Sequence, residues 1–135
     1  MSAPRLVPLE YGRDSARRAA RFADRPWFVF LDSCADLRRG GRYDILAADP
    51  VATLETMGAL TVITRDGGCE ISREDPFAVL AGVLGRWRRA PCGLPFAGGA
   101  LGYFAYDLGR RIEKLDSRAR RDIEMPDLAV GIYLW

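Results

Sequence analysis

The stretch Phe96-Ala97-Gly98-Gly99-Ala100-Leu101-Gly102-Tyr103-Phe104-Ala105-Tyr106-Asp107-Leu108-Gly109-Arg110-Arg111 joins three closely spaced glycines to three aromatic residues and a charged end. Glycine within a strand usually marks a bulge, a bend or the close approach of another backbone. With the strand period of two, Tyr103 lies on one face, while Phe104 and Tyr106 lie on the other. Aromatic residues on both faces predict an interior strand that is covered on both sides.

Length and composition indicate one globular domain over residues 1–135. Hydrophobic residues make up 49% of the chain, which is enough for a buried core at this length. No run of apolar residues approaches the roughly 18 that a membrane span needs, and the N-terminus lacks a hydrophobic signal segment. We therefore expect no membrane partner and a cytoplasmic location.

Charge and residue types exclude several classes of function. The 20 basic and 18 acidic residues are interleaved and give a net charge of only +2, which argues against a nucleic-acid partner. The chain has no histidine, so histidine-dependent nucleophiles and most zinc sites are absent. Its three cysteines lack the Cys-x-x-Cys spacing of a metal or redox site and are expected to be free thiols.

Apolar runs bounded by turn signals predict six or seven strands, with a hairpin around Asp66-Gly67-Gly68. Trp27–Leu31 is aromatic and apolar throughout, which predicts a strand buried on both sides. The other predicted strands cover 43–48, 51–57, 60–65, 69–72, the glycine-rich stretch and 127–135.

Capping residues predict two or three helices. Asp14 is expected to cap a helix that runs to about residue 22, and Asp75-Pro76 begins the clearest amphipathic helix. That helix shows one apolar stripe, formed by Phe77, Leu80, Ala81, Leu84 and Trp87. A third, short helix over 108–115 would follow Asp107 as its cap. The fold class is therefore α+β, with a mostly antiparallel, sandwich-like sheet.

Four blocks of the chain resemble one enzyme family. Gly98, Gly99, Gly102, Tyr103, Tyr106 and Asp107 match its glycine–aromatic signature. Leu31-Asp32-Ser33, Gly41–Asp44 and Met125–Tyr133 resemble three further blocks, and all of them follow the family order from about residue 27 to the end. The chain is thereby identified as similar to the N-terminal part of the chorismate-utilising enzymes, the family of anthranilate synthase component I and aminodeoxychorismate synthase component I. The last block resembles the aminodeoxychorismate branch in particular.

One group of residues predicts a small-molecule pocket, namely Leu31, Asp32, Ser33, Arg42, Tyr43 and Asp44. A strand-end hydroxyl, a carboxylate and an aromatic ring suit a zwitterion such as an amino acid. The resemblance implies a tryptophan pocket whose other wall comes from the remaining half of the enzyme. Asp32 and Asp44 depart from the Glu and Ser that are common in the anthranilate synthases, which argues against feedback regulation by tryptophan. The alternative is a purely structural strand end.

The remaining candidate residues are not predicted to take part in catalysis or phosphate binding. Asp32, Asp44 and Asp107 are not predicted to form a catalytic pair of carboxylates, and roles in turns and caps explain Asp32 and Asp107 as well. Gly98–Gly102 lacks the Gly-Lys-Ser/Thr ending of a phosphate loop and precedes a strand, so a packing role is predicted. The sequence thus predicts no catalytic residue, no metal ligand and no cofactor of its own.

The resemblance implies an enzyme that aminates chorismate to 4-amino-4-deoxychorismate on the route to p-aminobenzoate and folate. The catalytic chorismate-binding half with its Mg²⁺ site would lie C-terminal to residue 135, and ammonia would come from a glutamine amidotransferase subunit, component II. We expect this chain alone to be inactive. We also expect self-association through unpaired strand edges, including that of 127–135. The alternatives are an anthranilate synthase component I domain with a tryptophan feedback site and a stand-alone amino-acid-binding module.

Overall fold

The computed structural model describes residues 6–10, 12, 14–34, 42–87, 93–113 and 123–134. Within these ranges the chain is α+β and mostly antiparallel sheet, as predicted. The strands are β1 (Val29–Leu31), β2 (Ile45–Ala47), β3 (Ala52–Met57), β4 (Leu60–Arg65), β5 (Gly68–Ser72), β6 (Gly99–Phe104) and β7 (Leu128–Tyr133). The α-helices are α1 (Ser15–Ala19) and α2 (Pro76–Gly85), and Ala20–Phe22 and Tyr106–Arg111 form 3₁₀ helices.

The strands form a five-stranded sheet in the order β5-β4-β3-β7-β6 and a separate two-stranded ribbon, β1-β2. The register pairs Leu54 with Ile63 on one side and with Val130 on the other. These three residues are buried and share the face of the sheet against which α2 packs. The predicted hairpin connects β4 and β5 through a turn in which both Asp66 and Gly67 have positive φ.

Helix α2 begins as predicted, because Asp75 accepts hydrogen bonds from the main-chain N–H groups of Phe77 and Ala78 at 2.9 and 3.0 Å. The prediction is wrong about which residues form the centre of the apolar stripe. Val79 and Val83 are the buried residues of the helix together with Pro76, whereas Ala81 is exposed. Leu80, Leu84 and Trp87 flank the core, and Phe77 is instead partly exposed and stacks on Phe104 with ring centroids 5.8 Å apart.

The position of two strands in the sheet differs from the prediction. The glycine-rich strand β6 is an edge strand and not an interior one, and Phe104 is 50% exposed. Strand β7 was expected to present an unpaired edge, but it lies between β3 and β6 and is buried along its whole length. Side-chain periodicity reports which faces are apolar and carries no information on which strands become neighbours, so it misassigned β6. The expectation for β7 came from an assumed loss of its neighbouring strands, but β3 and β6 are its neighbours.

The glycines of the opening stretch act in packing, as predicted. Gly98 has φ +102°, and a Cβ there would lie 2.9 Å from the carbonyl oxygen of Tyr133. A Cβ at Gly102 would overlap the carbonyl oxygen of Ala129 and lie 2.7 Å from the Cα of Val130. Strands β6 and β7 therefore approach each other more closely than a side chain at residue 102 allows.

The ribbon and the short helices correct two further predictions. Val29 and Phe30 are only half-buried and Leu31 is 49% exposed, so the Trp27–Leu31 strand is not covered on both sides. Asp107 does not cap a helix over 108–115; it lies within the Tyr106–Arg111 3₁₀ helix and pairs with Arg110 at 2.9 Å. Residues 114–115 lie outside the described ranges. Asp14, in contrast, caps α1 by accepting from the N–H of Arg17 at 2.8 Å.

Among the described residues, no helix has both the length and the apolar character needed to cross a membrane.

Candidate functional site

The β1-β2 ribbon brings together the two segments that the sequence singled out. Leu31 pairs with Ile45 at the end of the ribbon, so the residues that follow Leu31 lie beside those that precede Ile45. Ser33 donates two hydrogen bonds to the same Asp44 carboxylate oxygen, one from its main-chain N–H and one from its hydroxyl, each 2.9 Å long. The predicted contact between the Leu-Asp-Ser and Arg-Tyr-Asp segments is therefore made through Asp44.

Hydrogen bonds hold Asp44 in its charged form. Hydrogen bonding from the Ser15 side chain, and then from the main chain and hydroxyl of Ser33, lowers the pKa of Asp44 below its ordinary value of 3.8. Its exposed position leaves little desolvation to oppose this effect. Asp44 is therefore an anion at neutral pH, which suits attraction of a cationic group and does not suit a general acid.

Asp32 has a local role. Its carboxylate accepts a 2.7 Å hydrogen bond from the N–H of Cys34, two residues on, and Cys34 has a positive φ of 58°. This is the hydrogen bonding of a turn that aspartate stabilises with its own side chain. Asp32 thus shapes the turn that leaves β1.

A cleft of about 250 Å³ opens beside the ribbon. Tyr43 and Asp44 line it, and the continuing strand contributes Ile45 and Leu46. The facing wall comes from the Leu94-Pro95-Phe96 segment. The sequence interpretation assigned that wall to another half of the enzyme and missed these residues, because an irregular segment around a proline has no periodicity that marks it as part of a site.

The cleft has one anionic side and apolar walls, and one of its lining residues, Tyr43, contacts a cation. The guanidinium carbon of Arg42 lies 5.8 Å from the centroid of the Tyr43 ring, within the range of a cation–π contact. Arg42, Leu31, Asp32 and Ser33 do not line the cleft, so two of the six predicted residues contact it directly. This arrangement can hold a small zwitterion with an apolar side chain.

A wider, more open cleft of about 440 Å³ lies between α2 and the β4–β5 hairpin. Its charged groups have both signs, and Arg65 and Glu70 form an ion pair at 2.9 Å on the hairpin side of the cleft. Because both carboxylate oxygens of Glu70 accept hydrogen bonds from Arg65, the cleft offers a less selective surface than the one beside Asp44.

In the described ranges, no group of three or more histidine, cysteine, aspartate or glutamate side chains is placed to hold a metal ion. The Mg²⁺ site that the resemblance implies therefore has no ligand set among these residues.

The chain is similar in sequence to known enzymes. A scan against models of protein families gives no match. The chain is 41% identical over 98% of its length to "Aminodeoxychorismate synthase component 1" of Escherichia coli (strain K12), and 40% identical over its whole length to the protein of the same name from Klebsiella aerogenes. It is 31% identical over 79% of its length to "Anthranilate synthase component 1" of Acetivibrio thermocellus.

These relatives define an enzyme family with two named branches, and the chain belongs to it. Among the relatives named here, the higher identities over larger shares of the chain are to aminodeoxychorismate synthase component 1. The chain spans about 30% of the length of the Escherichia coli and Klebsiella aerogenes relatives.

Proposed function

We propose that the chain is the N-terminal region of an aminodeoxychorismate synthase component 1, an enzyme that aminates chorismate to 4-amino-4-deoxychorismate. The observation that carries the proposal is the 41% identity over 98% of the chain against only 30% of the relative. A similarity that covers nearly all of this chain but less than a third of the relative is expected when the remaining two thirds of the relative form a separate functional part.

In this proposal the chain is a scaffold without catalytic residues. Its pKa-shifted groups support that assignment: Asp44 is held as an anion and Tyr133 as a neutral phenol, so neither is tuned to exchange protons near neutral pH. The missing region would supply the chorismate and Mg²⁺ sites, and a glutamine amidotransferase subunit would supply ammonia. The 135-residue chain alone is then inactive.

A chimeric enzyme tests the assignment. The segment of the Escherichia coli relative that aligns with this chain is replaced by residues 1–135, and 4-amino-4-deoxychorismate formation is measured with chorismate, ammonia and Mg²⁺. We expect turnover from the chimera and none from residues 1–135 alone. A folded chimera without turnover, or turnover by the 135-residue chain alone, would contradict the proposal. Sequencing the gene downstream of codon 135 provides an independent check.

We further propose that the cleft beside Asp44 binds a free amino acid with an aromatic side chain, tryptophan being the ligand that the family resemblance suggests. The Asp44 carboxylate would face the ammonium group, and Phe96 and Leu46 would contact the ring. The volume of about 250 Å³ lies just below the 300 Å³ at which pockets for drug-sized ligands begin, which suits one amino acid better than a nucleotide cofactor.

Titration calorimetry with L-tryptophan tests this site, with D-tryptophan as the matched ligand control. Asp44→Asn should weaken binding of the ammonium group, and Phe96→Ala should remove contact with the ring. If the heat of binding is equal for the two enantiomers, or is unchanged in both variants, the cleft is not an amino-acid site. Asp44 and Ser33 would then serve only as a hydrogen-bonded strand end.

A further inference from the structure

The two edges of the five-stranded sheet differ in their charge. Edge strand β5 contains Glu70, which pairs with Arg65 at 2.9 Å, and Arg73 and Glu74 follow it. Edge strand β6 lies within residues 90–106, which contain no charged residue. Charged side chains are the usual means by which an edge strand avoids pairing with another chain, so only the β5 edge has this protection.

The outward backbone groups of β6 can be identified from its ladder with β7. The N–H of Ala105 donates to the carbonyl oxygen of Asp127 at 2.8 Å, one step beyond the register pair Phe104–Leu128. Because residues of an antiparallel strand bond alternately to either side, Tyr103 and Leu101 also bond towards β7. Ala100, Gly102 and Phe104 therefore direct their N–H and C=O groups away from the sheet.

We infer that the outward edge of β6 pairs with β6 of a second copy of this chain, antiparallel and about a twofold axis at Gly102. This register places Gly102 opposite itself and Ala100 opposite Phe104 of the second copy. The three outward residues of each copy then form about six backbone hydrogen bonds. The two five-stranded sheets become one continuous sheet.

Side-chain complementarity supports a second copy as the occupant. On the α2 side, the small Ala100 lies opposite the large Phe104, which is 50% exposed in the isolated chain. On the other face, Leu101 lies opposite Tyr103, which is 37% exposed. Both cross-strand pairs are apolar, and aromatic–aliphatic pairs of this kind stabilise antiparallel sheets. Gly102, which is exposed, places no side chain at the axis.

The register makes a charge-pattern test possible. In Leu101→Lys with Tyr103→Lys, each cross-strand pair joins two lysines; in Leu101→Lys with Tyr103→Glu, each pair joins a lysine to a glutamate. Both variants remove the same apolar contacts, so their difference reports the pairing. We expect sedimentation velocity at tens of micromolar to show a wild-type dimer, and the lysine–lysine variant to dimerise at least about tenfold more weakly than the lysine–glutamate variant.

Ile71→Lys on β5 is the matched control at the opposite edge, because Ile71 is 67% exposed, and it should leave the dimer unchanged. A monomeric wild type, equal dimerisation of the two charge variants, or loss of the dimer in Ile71→Lys would overturn the inference.

Hydrogen exchange of the wild type gives a readout that needs no substitution. The amide groups of Ala100, Gly102 and Phe104 should gain protection as the protein concentration rises, while those of Leu101 and Tyr103 are protected at every concentration. If the three outward amides exchange equally fast in monomer and dimer, the edge is not the interface.

Discussion

The hydroxyl group of Tyr133 donates a 2.7 Å hydrogen bond to the main-chain carbonyl oxygen of Trp27. Tyr133 ends the interior strand β7, and Trp27 precedes the β1-β2 ribbon, so this bond connects the ribbon region to the five-stranded sheet. The ring lies over Gly131, where a Cβ would come within 2.7 Å of the tyrosine hydroxyl oxygen. Glycine at 131 thus provides the space that the ring occupies.

Tyr133→Phe should destabilise the chain by about 1 kcal/mol, because the Trp27 carbonyl loses its buried partner while the packing of the ring is kept. The urea dependence of the unfolding free energy measures the change. Tyr106→Phe is the control, since Tyr106 is 89% exposed, and it should alter stability by less than about 0.5 kcal/mol. Equal effects of the two substitutions would show that the bond to Trp27 contributes nothing.

The stability of the wild type should fall more steeply above about pH 10 than that of Tyr133→Phe. Burial raises the pKa of Tyr133 above its ordinary value of 10.0. The unfolded chain therefore ionises first, and the stability linked to this phenol is complete below pH 10 and is lost as the pH rises through the folded-state pKa. Urea unfolding of both proteins between about pH 8 and 11 measures the difference, and parallel pH profiles would contradict it.

The sequence predicted local structure well because the signals are local. Asp75-Pro76 begins a helix through its own hydrogen bonds, and Asp66-Gly67 reverses the chain through its own backbone preferences. The order of the strands in the sheet, in contrast, does not depend on local signals. Whether β6 or β7 becomes an edge depends on which strands meet across long stretches of chain, and the apolar pattern of each strand is compatible with either position.

The buried hydroxyl pair of Thr56 and Thr61 offers a test of cross-strand coupling. The two residues are register partners on β3 and β4, their Oγ1 atoms are 2.9 Å apart, and both side chains are inaccessible to solvent. Thr56→Val should cost about 1–3 kcal/mol because the Thr61 hydroxyl loses its partner in the core. Thr56→Val with Thr61→Val should be closer to the wild type than the sum of the single variants.

A double-mutant cycle in urea measures this coupling. The substitutions Thr53→Val and Thr64→Val provide the control. These two residues are also register partners, but they lie on the other face of the sheet, where Thr64 is exposed. If the buried pair shows additive effects like the control, the hydroxyl–hydroxyl bond does not stabilise the sheet.

The site itself stays a prediction, but the position of some of its residues could be anticipated from the sequence. Ser33 follows β1 and Asp44 precedes β2, so the pairing of these two strands brings the two residues together. A pair of this kind at strand ends can be anticipated from two apolar runs in sequence. The wall formed by Leu94, Pro95 and Phe96 could not be anticipated, because its position depends on the path of the chain after α2 and on the close approach of Gly98 to Tyr133.

Asp44→Asn should reduce stability near neutral pH by up to about 1 kcal/mol, a small value because the carboxylate is exposed to solvent. The pKa of Asp44 is lowered in the folded chain, so the stability linked to it is complete above its ordinary pKa of 3.8 and is lost as the pH falls through the folded-state pKa. Urea unfolding should therefore show the two proteins converging at about pH 2–3. A difference that persists at low pH would point to packing and not to charge.

Two glycine-to-alanine substitutions separate a packing role from a conformational one. Gly102→Ala should destabilise the chain by about 1–3 kcal/mol, because the new Cβ overlaps the carbonyl oxygen of Ala129 and the strands β6 and β7 must separate. Gly82→Ala lies on the exposed side of α2, where a Cβ meets no atom within 4 Å, and it should stabilise the chain by about 0.4–1 kcal/mol by restricting the unfolded state. Urea unfolding measures both values. If Gly102→Ala leaves the stability unchanged, the spacing between β6 and β7 adjusts without cost. The close approach of β7 would then not explain why this strand is rich in glycine.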